Sequence, residues 1–168
     1  MQPFWPLARY ISVEQSILYR GTTGGNIYNI NYMKTNKSII DTYNTIYSVD
    51  IVVANKYTTV EKLNKLYSYY NGDKLDDSVK DCVCLVCMCK RLSDNHPVIL
   101  IVWNSDLPSY KVDNKKAYMI NTMAHEAAHA ALDTWNYMQE FVSKDNQEPF
   151  AYYVGWIAEC IYKTIIKK

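Results

Sequence analysis

The sequence predicts an α+β domain, a small antiparallel or mixed sheet of about three strands packed on helices. Three observations carry that prediction. Apolar, β-branched runs of strand length recur at Val49–Ala54, Val83–Arg91 and Val98–Trp103. Apolar residues at helical spacing mark Thr59–Tyr70, a stretch from Asp113 or Asn114 to about Asp133, and Glu148–Ile165. The composition supplies a core: 49% of the 168 residues are hydrophobic and 14% aromatic at a net charge of +1, which excludes intrinsic disorder.

The elements follow in order. Pro3, Pro6 and the run Gly21-Thr-Thr-Gly-Gly-Asn26 break any long periodic element, so residues 1–47 read as an irregular N-terminal arm ahead of one domain, 48–168. Val49–Ala54 is a buried strand. Thr58 or Thr59 caps a helix with Val60, Leu63, Leu66 and Tyr67 on one stripe, closed by Asn71-Gly72. Val83–Arg91 and Val98–Trp103 form two strands joined through Ser93–Pro97. A long helix follows, then a connector with a helical turn at Tyr137–Val142, then a last helix. The expected order is β-α-β-β-α-α.

Several function classes fall away. A charge balance of 18 basic against 17 acidic residues gives no basic field for nucleic acid. The longest apolar run, Pro97–Trp103, is far short of the ~20 residues of a membrane span. With no basic region followed by an apolar block at the start, the expectation is a soluble, cytoplasmic protein. Four of five cysteines crowd into Cys82-Val-Cys84-Leu-Val-Cys87-Met-Cys89, where a metal cluster is the sharper idea. On a strand, however, Cys82 and Cys84 face one side and Cys87 and Cys89 the other. Thiolates split across two faces cannot close a tetrahedron, so small buried residues are expected.

The chemistry sits in the long helix. His125-Glu126-Ala127-Ala128-His129 is an HExxH pattern, which random placement gives on the order of once in several hundred such sequences. Histidines four apart on a helix point the same way about one turn from each other, so both imidazoles reach one zinc ion. Glu126 flanks the first ligand and suits a general base for a metal-activated water. The bland alternative is a surface histidine couple. It fits poorly with Ala124, Ala127, Ala128, Ala130 and Ala131 around the motif.

Two histidines need a third donor. Asp133 sits ~12 Å from His125 along the axis and cannot share its ion, although it could accept the spare N–H of His129. No histidine follows His129. Glu148, nineteen residues on and at the start of the last helix, is the best candidate, against a plain helix-start acid favoured by the dipole. Pro149 argues for Asn146 as the cap, with Glu148 in the first turn facing inward. Ala151 and Gly155 beyond it are small, like the motif alanines, which would let the two helices approach closely.

The motif, its eighteen-residue spacer and Glu148-Pro-Phe-Ala-Tyr152 resemble the gluzincin arrangement of zinc metallopeptidases. The element order resembles the minimal zincin fold, and the layout is similar to ImmA/IrrE-type peptidase domains and to small metallopeptidase-like proteins of bacteriophages. The resemblance spans roughly Val49 to Ile165. It implies one zinc held by His125, His129 and Glu148, with Glu126 as base, and hydrolysis of peptide bonds. Thermolysin-like members carry an aspartate one turn after the ligand glutamate, where this chain has Tyr152; ImmA-like members show Glu-Ala, where it has Glu148-Pro149. For the developing oxyanion the candidates are Tyr152 first, then Tyr153 and His96. In such folds the substrate peptide lies along an edge strand, here expected to be Val98–Trp103. The alternative is a non-catalytic protein on the same scaffold, a phage-particle component or an interaction module with a structural metal and a phage or host protein as partner.

Overall fold

The computed structural model describes residues 37–104 and 114–166, all within the second of the two units into which the chain divides, Met33–Lys168. The proline and glycine breaks of the N-terminal arm lie outside the described residues. The elements are β1 (Ile40–Tyr43), β2 (Asp50–Ala54), α1 (Val60–Asn64), β3 (Tyr67–Tyr69), a 3-10 turn (Asp77–Lys80), β4 (Cys84–Arg91), β5 (Pro97–Trp103), α2 (Lys115–Tyr137) and α3 (Gln147–Ile165). Among the described residues no helix is long and apolar enough to cross a membrane.

The class is α+β, with a mixed five-stranded sheet in the order β1-β2-β5-β4-β3. β2 and β5 run parallel, Asp50 beside Val98 through Ala54 beside Val102, and every other pairing is antiparallel. β2 and β5 are buried on both faces, which is why they read as continuous apolar runs rather than alternating ones. Ile51, Val53, Ile99, Ile101 and Trp103 pack under α2 and α3. Val52, Ala54, Val98, Leu100 and Val102 pack on the other face against Leu63 of α1 and against Leu75 and Val79.

The structure corrects four expectations. The part of the arm next to the domain is not irregular, since Ile40–Tyr43 adds to the sheet as β1. It is tied to α3 where Thr164 Oγ1 donates to Asp41 Oδ2 at 2.7 Å and lies 2.9 Å from the Tyr43 hydroxyl. The helix expected at Thr59–Tyr70 stops at Asn64. Thr59 caps it, accepting from the Lys62 N–H at 3.2 Å, but Tyr67–Tyr69 leaves it to pair with Cys89–Arg91. Leu66, expected on the buried stripe, is 43% exposed, while Tyr67 reaches the core from the sheet.

The third correction concerns β5. Val98–Trp103 lies between β2 and β4, so its backbone groups are bonded on both sides and it is no edge for a substrate. The fourth concerns Gly155. A Cβ there would meet nothing within 4 Å, so no close helix approach depends on it. α3 instead packs through Tyr153, Ile157, Cys160, Ile161 and Thr164. Trp135 of α2 sits with the rings of Phe150 and Tyr153 at centroid distances of 5.4 and 5.5 Å.

The cysteine segment divides as its alternation predicts. Cys84 faces α2, whereas Cys87 and Cys89 face α1 with their sulfurs 3.6 Å apart. All five cysteines are free thiols; Cys82, just ahead of β4, is exposed.

Candidate metal centre

Helix α2 starts where Asn114 Oδ1 accepts the Ala117 N–H at 3.0 Å, and it runs a full turn beyond Asp133 to Tyr137. Its buried stripe is Met123, Ala127, Ala130, Ala131 and Thr134. Ala127 and Ala130 are wholly buried, which lets the helix lie low on the sheet. His125 and His129 fall on the opposite side of the helix and are exposed.

The two imidazoles converge, with Nε2 of His125 and Nε2 of His129 3.1 Å apart. Two nitrogens that bind one zinc at about 2.0–2.1 Å and a near-tetrahedral angle lie about 3.3 Å apart, so this pair fits one ion. Glu126, half-buried, is directed away from the core stripe to the side of β4. Burial pushes its carboxyl above the ordinary value, although the nearby His125 and His129 pull the other way. Burial also raises the Asp133 carboxyl, with the charge of His129 opposing.

The structure does not bring the whole expected set together. Among the described residues no three His, Cys, Asp or Glu side chains are grouped to hold a metal ion. Glu148 is exposed in the first turn of α3. α3 packs on α2 through its buried side, where the Thr134 and Tyr153 hydroxyls meet at 3.3 Å, and Glu148 is not on that side. Asn146 precedes α3 as expected, but its carboxamide makes no cap bond; it accepts from the Ser143 N–H at 2.7 Å and donates to the Phe141 carbonyl at 2.8 Å.

None of the three oxyanion candidates lines the cavity beside His125 and Glu126. Tyr152 of α3 is 59% exposed. Tyr153 is a core residue whose phenol is pushed up to about 12 by burial. His96 stands at the hairpin end of the sheet with Nε2 3.5 Å from Asp50 Oδ2.

A cavity of about 260 Å³ adjoins the motif, walled by Cys82, Val83 and Cys84 on one side and Tyr118, Asn121, Thr122, His125 and Glu126 on the other. Sequence reasoning missed the last helix turns before His125. The signal was there, since Tyr118, Asn121 and Thr122 precede His125 by seven, four and three residues and so share its side of a helix. The strand wall had no such local signal.

No protein-family model, no curated protein and no solved structure matches the chain.

Proposed function

We propose that the chain is a zinc-dependent peptidase of the gluzincin type, with His125 and His129 as ligands and Glu126 as general base. The observation that carries this reading is the 3.1 Å approach of the two Nε2 atoms beside a half-buried carboxyl at the mouth of a cavity. When bound, zinc supplies Lewis-acid polarisation of a peptide carbonyl and makes water acidic enough to attack near neutral pH. Glu126 would accept a proton from the water as the new C–O bond forms and then deliver it to the amide nitrogen, after which the C–N bond breaks and the amine departs. Glu148 is the proposed third protein donor, carried on the motif's spacing.

The substrate strand belongs on β4 rather than β5. β3 covers only Cys89–Arg91 of β4, which leaves Cys84–Cys87 without a strand on that side among the described residues. Of that open stretch, Cys84 lines the cavity beside Glu126. The alternative, a zincin-scaffold interaction module with a structural metal, draws on the exposure of both histidines.

One variant separates the two. Glu126→Gln keeps the shape and the histidines but cannot accept the proton. It should hold zinc like wild type while cleavage falls by a factor of ~10² or more. Undiminished cleavage by that variant would remove the peptidase reading.

A further inference from the structure

Along the cavity, most polar groups already have a use. The Thr122 hydroxyl donates to the Tyr118 carbonyl at 3.1 Å. The Cys82 thiol is turned onto the Cys84 carbonyl at 2.9 Å. His125 meets His129. Asn121 differs, since its carboxamide lines the cavity, is exposed, and makes no hydrogen bond to any described residue. It lies one helix turn before His125, on the same side, and faces the Cys82–Cys84 wall across the cavity.

Beyond the opposite wall, farther along β4, the strand edge has complementary chemistry. At Met88 the carbonyl points outward and accepts the Tyr70 N–H at 3.1 Å. Ladder alternation turns the peptide groups of Val86 to the same side, where β3 no longer reaches. An extended peptide bonded to that edge would run alongside the Asn121 carboxamide. A carboxamide offers a donor and an acceptor in one plane, and so matches the C=O and N–H of a peptide group.

We propose that Asn121 is a substrate-binding residue, its carboxamide engaging the main chain of an extended, unfolded polypeptide that lies between α2 and the open edge of β4. The inference rests on the peptidase reading for its catalytic consequence, but binding alone can test it. A neutral amide aimed at main chain favours no particular side chain. The substrate class is therefore an unfolded segment recognised by its backbone, not by a charged residue.

Fluorescein-labelled casein serves as the probe, read both by cleavage and by anisotropy on the Glu126→Gln protein. Asn121→Leu is close in size and removes both hydrogen bonds. It should raise KM about tenfold with kcat within about twofold, the pattern of lost uniform binding. Added to Glu126→Gln, it should weaken casein binding by the same factor, with zinc content unchanged. Asn121→Gln, which keeps the carboxamide, should recover part of the loss. Equal KM and equal binding with and without the Leu change would overturn the proposal, as would no casein bound to the Glu126→Gln protein. Casein bound but never cleaved by wild type would defeat the peptidase reading instead, and the binding comparison would still decide Asn121.

Discussion

The two ends of the sheet use similar side chains in opposite ways. At the hairpin end, Arg91 holds Asp50 through one guanidinium nitrogen and Asp94 through the other at 2.9 Å, and His96 stands beside Asp50. Asp50 is 8% exposed, and each group there faces an opposite or titratable partner. About 23 Å along β4, at its start, Glu126 shares a cavity wall with His125 and has no ion-pair partner among the described residues. There the two histidines meet each other. A closed cluster of this kind contributes stability and offers nothing to a ligand. The open one has no such closure by ion pairs among the described residues.

The widest way to break this contrast is at the open end. Replacing His125 or His129 by Ala should reduce zinc from about one per chain to nearly none, because a single imidazole does not hold the ion alone. The fold should change little, as both side chains are exposed. Metal content by plasma emission spectroscopy checks it, and unchanged stoichiometry in both variants would remove the site. Glu148→Ala sharpens the result. Loss of zinc in that variant would mean that α3 brings its first turn to the histidines when metal is present. Retention would mean that the third donor lies elsewhere.

At the closed end the expected failure is structural. Asp50→Asn leaves the Arg91 guanidinium with Asp94 alone. A fully buried pair broken in this way costs several kcal/mol, but Arg91 is partly exposed, so about 2 kcal/mol is expected. Chemical denaturation would measure it, and zinc binding should be unaffected. A variant that lost zinc in the folded state would show that the two ends are coupled.

How far the sequence foretold this arrangement depends on the range of the interactions involved. The histidine pair was legible because four-residue spacing on a helix is local geometry, and the central strands because burial on both faces writes itself as unbroken apolar runs. Tyr67 was ambiguous, since its position satisfies a helical stripe with Leu63 and a strand with Tyr69. Pairing with Arg91, twenty-four residues away, decided it. Where α3 begins relative to the motif depended on how far α2 continues past it, to Tyr137. No residue near Asp133 marks that length, so the helix register was not readable.

A smaller effect is expected at Lys80. Its ammonium is buried without a hydrogen-bond partner among the described residues, and burial holds its pKa below the ordinary lysine value. Lys80→Met should therefore stabilise the protein by about 1 kcal/mol. Below its lowered folded pKa the lysine is charged in both folded and unfolded chains, and the cost is present in full. As pH rises through the lowered folded pKa toward the unfolded value near ~10.4, wild type sheds the cost and the gap closes. A gap that stayed constant up to that pH would mean the ammonium is already satisfied.

The smallest effect belongs to the closed cluster again. Asp94 accepts the His96 backbone N–H at 3.0 Å and the Arg91 guanidinium at 2.9 Å, in that order of influence, and these hold its carboxyl below the ordinary range. A depressed carboxyl contributes stability that is complete above its unfolded pKa of about 3.9 and is lost as pH falls through the lower folded value. Asp94→Asn keeps an acceptor for the His96 N–H but loses the charge. The variant should be slightly less stable than wild type at neutral pH, and the two should converge below about pH 4. Thermal melts across that range read the difference directly. Parallel curves at every pH would show that the hydrogen bond, not the charge, fastens the hairpin, and the closed end would then owe its stability to turn geometry rather than to electrostatics.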